Sequence, residues 1–414
     1  MQVHPYKIFS GIRLLLLLAV LVFFWMICRF WNLDMTIVLD IDDRSSFQSE
    51  GRYKYQMHPI INRNYRQIWE TCNQTINEES IYKPTTHVEE VIDALRRAKI
   101  VKVDLYSPSE FTAYKWMLIL EGGQQALFKP SLINKTVKAS VNCVSGCEHP
   151  EYEIAGFALN RLFGLGNMPY TTGRRVSWDQ EIAPVATEAL RRSITVREDG
   201  DICIVWSCYL EDESTYCFEN GVIYGAVIYW IGNRSVVQRT AEKASWHHEY
   251  HAMGDFLTKF SSLLFGNRTY CDLFREKEPY GDKVSFGYIL DMAAIDFLML
   301  NYDGGKHTYI ANGNETIHLN ILIDYGLSFC NRNDPILLAP IYQCCSIRKN
   351  LYKNLLKYSA NLTEAFDAAT RDDPLYPLLL PIDLIVMHRR LNTIITLIEI
   401  CFKKYGQTGV FVLS

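Results

Sequence analysis

Ile289-Leu290-Asp291-Met292-Ala293-Ala294-Ile295-Asp296-Phe297-Leu298-Met299-Leu300 is a largely apolar stretch that runs into Asn301-Tyr302-Asp303. Its length and spacing read as a buried helix that ends on a carboxylate. The short run Ile321-Leu322-Ile323 then reads as a buried strand that ends on Asp324, with Tyr325-Gly326 following. Two carboxylates 21 positions apart are thus delivered by different elements with a loop between them. Taken alone, the same residues also fit an ordinary helix–loop–strand with two solvated acids, so the rest of the chain has to decide.

The chain has 414 residues, enough for a full core and one large or two ordinary domains. A hydrophobic content of 49% and a charged content of 21% are those of a globular protein, and a net charge of −4 gives no global positive field for nucleic acid. Leu14 to Cys28 is an unbroken apolar run between Arg13 and Arg29. As a helix it spans about 22 Å, short of a typical hydrocarbon core of roughly 30 Å, and snorkelling arginines extend it. Lys7 and Arg13 precede the run, whereas Asp34, Asp40, Asp42 and Asp43 follow it, so the basic side stays cytoplasmic and the bulk of the chain is luminal. No small-x-small cleavage site follows, which favours an uncleaved anchor over a cleaved signal peptide. Six Asn-x-Ser/Thr sequons, at Asn73, Asn134, Asn233, Asn267, Asn314 and Asn361, and twelve cysteines suit an oxidising lumen in which those asparagines carry glycans. The resulting division is a cytoplasmic tail over 1–13, a transmembrane segment over 14–31, a polar stem over 32–95 and a folded domain over 96–414.

Within that domain, Ala113 to Leu120 and Gln125 to Lys129 flank Glu121-Gly122-Gly123-Gln124 and predict a hairpin. Residues 151–163 place Ile154, Phe157, Ala158 and Leu162 on one helical face, stopped by Gly164, Gly166 and Pro169. Strand-like runs follow near 182–186 and 221–231, and helical patterns cover 284–301, 347–357, 361–371 and 383–404. A β-rich first half and a helical second half predict a two-lobed α+β architecture with a ligand cleft between the lobes.

Phosphoryl transfer needs a cation on the phosphates, a carboxylate to hold that cation, a metal ligand and a base for the acceptor hydroxyl. Lys129 on the second hairpin strand, Glu153 on the following helix, Asp303 and Asp324 arrive in that order. Competing motifs are weaker. His247-His248-Glu249-Tyr250-His251 lacks the spacing of a zinc protease helix, and no Gly-x4-Gly-Lys-Ser/Thr loop exists. A glycosidase pairing of Asp303 with another acid leaves Lys129 and Glu153 without a role.

Ala126-Leu127-Phe128-Lys129-Pro130, Glu153-Ile154-Ala155-Gly156-Phe157, Asp296-Phe297-Leu298 leading to Asn301-Tyr302-Asp303, and Leu322-Ile323-Asp324 together resemble the secretory-pathway atypical kinases. That family includes the Golgi casein kinase and the glycosaminoglycan xylosylkinase, and the resemblance covers roughly residues 113 to 405. Leu120 to Gln124, Pro184 to Glu188 and Ile336 to Cys345 lean toward the xylosylkinase branch. The resemblance implies an atypical protein-kinase-like fold in the Golgi lumen as a type II membrane protein. It implies ATP and Mn2+ (or Mg2+) as cofactors, and the 2-hydroxyl of xylose in the glycosaminoglycan–protein linker as acceptor. It further implies that Lys129, Glu153 and Asp324 bind nucleotide, that Glu153 and Asp324 hold metal, and that Asp303 is the base. Homo- or hetero-dimerisation with a related kinase is a further implication. For the cysteines it implies Cys203 with Cys217, and Cys271 with one of Cys344 and Cys345 while Cys401 takes the other.

The chain departs from the family pattern at several points. Gly304-Gly305-Lys306-His307 stands where an Arg-His-His stretch follows the base, Tyr325 stands where Asn follows the metal-binding Asp, and Cys330 replaces a common glycine. Glu211 stands where the partner cysteine of Cys208 is usual, which leaves Cys208 either free or bridged to Cys143 or Cys147. The alternatives are therefore a protein serine kinase of the secretory pathway, and a pseudokinase that binds and activates a family kinase.

Overall fold

The computed structural model describes residues 63–77, 79–83, 87–106, 114–131, 148–206, 214–231, 237–243, 271, 283–301, 306–311, 317–329 and 338–412. The expected anchor at 14–31 lies outside them, and among the described residues no helix is long and apolar enough to cross a membrane. Backbone contacts divide the chain after Gln56, and residues 57–414 form one compact unit.

Its centre is a five-stranded antiparallel sheet. The strands are β1 (Ile100–Tyr106), β2 (Lys115–Leu120), β3 (Gln125–Pro130), β4 (Thr171–Ser177) and β8 (Val222–Tyr229), in the order β1-β2-β3-β8-β4. The β2–β3 hairpin turns at Gly122 and Gly123, with φ of +87° and +92°. Gly122 is required twice, because a Cβ there would also meet the Arg66 backbone nitrogen at 2.7 Å and the Trp69 ring at 2.8 Å. β5 (Ile194–Val196), β6 (Ile202–Trp206) and β7 (Ser214–Phe218) make a second antiparallel sheet, joined by the Cys203–Cys217 disulfide between β6 and β7.

Trp69 and Gly122 show that the folded unit begins before residue 96. Helices α1 (Tyr65–Thr75) and α2 (Val88–Arg97) lie inside the stretch read as stem, yet they belong to the folded unit. Tyr65, Ile68, Trp69 and Cys72 fall at i, i+3, i+4 and i+7, and all four are buried in the common core. The Trp69 indole donates to the carbonyl of Glu121 at 2.8 Å, so α1 sits on the hairpin turn. A polar background hid a four-residue apolar stripe. The run near 182–186 is also not a strand: a π-helical turn (Trp178–Ile182) passes into a 3-10 turn (Ala183–Val185), where Pro184 has no N–H to offer a sheet.

Helix α3 (Pro150–Leu162) follows the hairpin, with Pro150 at its first position. Almost all of it is buried, including the polar Glu151, Glu153 and Asn160, so it is a central helix rather than a one-faced surface one. The short α4 (Glu188–Arg192) lies between β4 and β5. The second half contains α5 (Lys283–Met299), α6 (Ala339–Cys344), α7 (Lys349–Tyr358), α8 (Leu362–Thr370) and α9 (Pro381–Val410), the last kinked at Gly406. A three-stranded antiparallel sheet, β9 (Val237–Lys243), β10 (Lys306–Ala311) and β11 (Ile317–Ile321), interrupts the helices. A β-rich part and a helical part are both present, and their apolar residues form one continuous core rather than two.

The cysteine quartet pairs as Cys271–Cys344 and Cys345–Cys401. Cys344 ends α6, and Cys345 turns into the left-handed region with φ +47°. That reversal of backbone direction lets two adjacent side chains reach different partners. Cys143, Cys147, Cys208 and Cys330 lie outside the described residues.

Candidate active site

Three elements bring the charged residues together. β3 carries Lys129, only 4% exposed, α3 carries Glu153, 1% exposed, and the loop after β11 carries Asp324. The strand itself ends at Ile321, three residues earlier than its apolar run suggests. Leu322 continues the chain by donating its N–H to the Asn167 carbonyl at 2.9 Å. Asp324 then adopts φ +70°, a left-handed conformation that aspartate tolerates better than most residues. The carboxamide of Asn301, just past the end of α5, donates to the Asp324 carbonyl at 3.5 Å.

Lys129 Nζ donates to Asp324 Oδ1 at 2.8 Å, to Glu148 Oε2 at 2.6 Å and to Glu153 Oε1. Glu148, immediately before α3, was not singled out from the sequence. It lies in a stretch with no periodic pattern, and its only signal is a position five residues ahead of Glu153 in Glu148-His149-Pro150-Glu151-Tyr152-Glu153. Lys115, the first residue of β2, was missed as well. It is 5% exposed and its Nζ lies 3.5 Å from Glu148 Oε1 and 3.8 Å from Asp324 Oδ1.

Glu153 acts as a brace. Its Oε1 also accepts from the Gly326 N–H and its Oε2 from the Tyr325 N–H, each at 3.1 Å. Burial pushes its carboxyl upward; Lys129 opposes that rise, while Asp324 and Glu148 add to it. For Lys129, burial works against the charged form, but Asp324, Glu148 and Glu153 outweigh it and hold the ammonium well above its usual range. The Gly326 carbonyl accepts from His149 N–H at 2.8 Å, so the loop after Asp324 and the start of α3 are stitched together. A Cβ on Gly326 would meet Glu148 Cβ at 2.8 Å, which ties the glycine to the placement of that acid.

Tyr325, the departure beside Asp324, does not fill the site. Its ring is 1% exposed and packs over Gly156, where a Cβ would lie 3.1 Å from Tyr325 Cγ. Its hydroxyl bonds to Asp296 of α5, and burial together with that carboxylate raises the phenol well above its ordinary range. Asp296 also accepts from the Asn301 carboxamide at 3.3 Å.

Asp303, with Gly304 and Gly305, lies outside the described residues, as do the sequons at Asn134, Asn233, Asn267 and Asn314. Asn73 is half-buried on α1, and Asn361 is exposed at the start of α8.

Oxygen atoms of Glu148, Glu153 and Asp324 all lie within 4.8 Å of one another. An all-carboxylate donor set of this kind suits a hard divalent cation such as Mg2+ or Mn2+. Glu153 and Asp324, the two ligands expected from the sequence, both belong to this set, and Glu148 joins them.

The profile of the family described as "Golgi casein kinase, C-terminal, Fam20" matches residues 67–410, which span the whole of this site. The chain belongs to the Fam20 family. A human glycosaminoglycan xylosylkinase is 28% identical over 98% of this chain and 98% of its own length. The solved structure of hydra Fam20 with sugar is 26% identical, with a TM-score of 0.69 over 84% of this chain and 98% of that one. The Golgi casein kinase with Mn/ADP bound shares the fold at 22% identity, with a TM-score of 0.67 over 83% of each chain. Fam20 relatives differ in activity: the human extracellular serine/threonine protein kinase FAM20C is 25% identical over 83% of this chain and 59% of its own length. The human pseudokinase FAM20A is 26% identical over 70% of this chain and 54% of its own length.

Proposed function

We propose that this Fam20 protein is an ATP- and Mn2+-dependent kinase of the secretory-pathway lumen that phosphorylates the 2-hydroxyl of xylose in the glycosaminoglycan–protein linker. The observation that carries the reading is the buried bonding of Lys129 to Glu148, Glu153 and Asp324. A lysine on a strand, a glutamate on the next helix and an aspartate after a strand, all meeting at one point, are the parts phosphoryl transfer needs. The xylose acceptor is supported by the near full-length similarity to the human xylosylkinase. Three disulfides among the described residues fit an oxidising compartment. A Golgi membrane location through the 14–31 anchor follows the same reading.

In this mechanism Glu153 and Asp324, with Glu148 beside them, would hold the divalent metal, and Glu153 also keeps Lys129 and the loop of Asp324 in position. When bound there, such an ion would supply positive charge to offset that of the nucleotide phosphates. Lys129 meets the phosphates. Asp303 takes the proton of the acceptor hydroxyl as its oxygen bonds to the γ-phosphorus and ADP leaves with the broken P–O bond. Lys115, Lys129 and Glu153 are buried, which strengthens their electrostatic interactions at the site.

Purified protein with labelled ATP and Mn2+, offered a galactosyl-xyloside and an acidic serine peptide, tests the proposal. Label on the sugar, abolished by D303A, is the expected result. Label on the peptide alone would make the chain a protein kinase. No label on either acceptor from a folded protein would leave the pseudokinase reading.

A further inference from the structure

We propose that Lys115 is a second phosphate-binding cation of the nucleotide site; this rests on the kinase reading above. An ammonium has three donors, and the three of Lys129 are matched by Glu148, Glu153 and Asp324. Lys129 can therefore serve a phosphate chain only by giving up a carboxylate. The β2–β3 register pairs Trp116 with Phe128, so the next step along the ladder sets Lys115 opposite Lys129 on the same face of the sheet.

Two like charges facing each other across a ladder are unfavourable, and more so when both are buried. Such a pair persists only where anions outnumber it. Here three carboxylates face two ammoniums, a local charge of −1. A divalent cation on these acids would turn that into +1, which suits a polyanionic phosphate chain. The contacts of Lys115 to Glu148 and Asp324, at 3.5 and 3.8 Å, are longer than the 2.6 and 2.8 Å bonds Lys129 makes to the same two acids. They hold the ammonium at the site electrostatically.

The charge argument predicts effects of opposite sign on the two ligands. Full-length wild type, K115M, K115Q and K115R are compared for Mn2+ binding alone, by electron paramagnetic resonance. ATP binding in saturating Mn2+ is followed by calorimetry and stability by thermal unfolding. In K115M and K115Q, ATP affinity should fall about 10-fold or more, the scale of a lost charge-assisted bond. Their affinity for Mn2+ alone should hold or tighten, because a neighbouring positive charge is gone. K115R should retain ATP binding better than either neutral variant. Unchanged ATP affinity in both neutral variants overturns the assignment. So does a joint loss of Mn2+ affinity, ATP affinity and unfolding temperature, which would make Lys115 structural. A wild type that binds Mn2+ but no ATP would instead remove the kinase reading itself.

Discussion

Replacing Lys129 by methionine keeps the side-chain length and removes one buried positive charge. In the wild type that ammonium is 4% exposed and bonds three carboxylates whose oxygens lie within 4.8 Å of one another. Without it, Lys115, at 3.5 and 3.8 Å from Glu148 and Asp324, is the ammonium left beside them among the described residues. Removing one partner of a buried ion pair costs about 3–5 kcal/mol. Two ionised carboxylates some 4 Å apart repel by about 4 kcal/mol at an effective dielectric constant of roughly 20. Protonation of Glu153, whose carboxyl burial already pushes upward, relieves part of that repulsion. The expected loss in K129M is therefore about 3–5 kcal/mol in EDTA, a fall in unfolding temperature on the order of 5–10 °C. Mn2+ should return more stability to K129M than to wild type, about 2.7 kcal/mol at 100 times its dissociation constant, because the ammonium that bonds all three acids is gone. Scanning calorimetry of both proteins in EDTA and in Mn2+ measures each quantity. Equal unfolding temperatures in EDTA, or equal gains from Mn2+, would refute the electrostatic account of the cluster.

Two other substitutions probe its surroundings. In G326A the new methyl meets Glu148 Cβ at 2.8 Å, so Mn2+ affinity should fall about 10-fold with little change in unfolding temperature; metal titration reads this directly. Away from the site, Asp291 on α5 is fully buried beside Arg348, and its carboxyl is pushed from 3.8 to about 6 by burial, with Arg348 opposing. It binds its proton more tightly folded than unfolded, so its contribution is fully present below about pH 4 and is lost as pH rises through about 6. D291N should remove that decline, on the order of 2–3 kcal/mol, from the stability–pH curve, as denaturant unfolding between pH 4 and 7 would record.

Local signals served well wherever packing obeys a local rule. The Gly-Gly turn, the near-continuous apolar run of α5 and the helical periods of α7, α8 and α9 each became the element their pattern predicts, within a few residues apart from the C-terminal extension of α9. Lys129, Glu153 and Asp324 were also legible, because each sits at a fixed place relative to such an element. Helix α1 was legible in principle, since Tyr65, Ile68, Trp69 and Cys72 keep a helical spacing, but the polar residues between them made it read as stem.

Little local points to Glu148 beyond its place ahead of Glu153, and nothing local points to Lys115. Their roles come from a cross-strand register and from a loop that returns 176 residues after Glu148 to put Asp324 beside them. Tyr325 shows the same division: its side chain is plain in the chain, yet whether it fills the site or turns away to Asp296 depends on the groove that Gly156 leaves open. Periodicity reports which side of an element is apolar, whereas charge balance at a point depends on distances between segments remote in the chain. Those distances exist only once the core has closed.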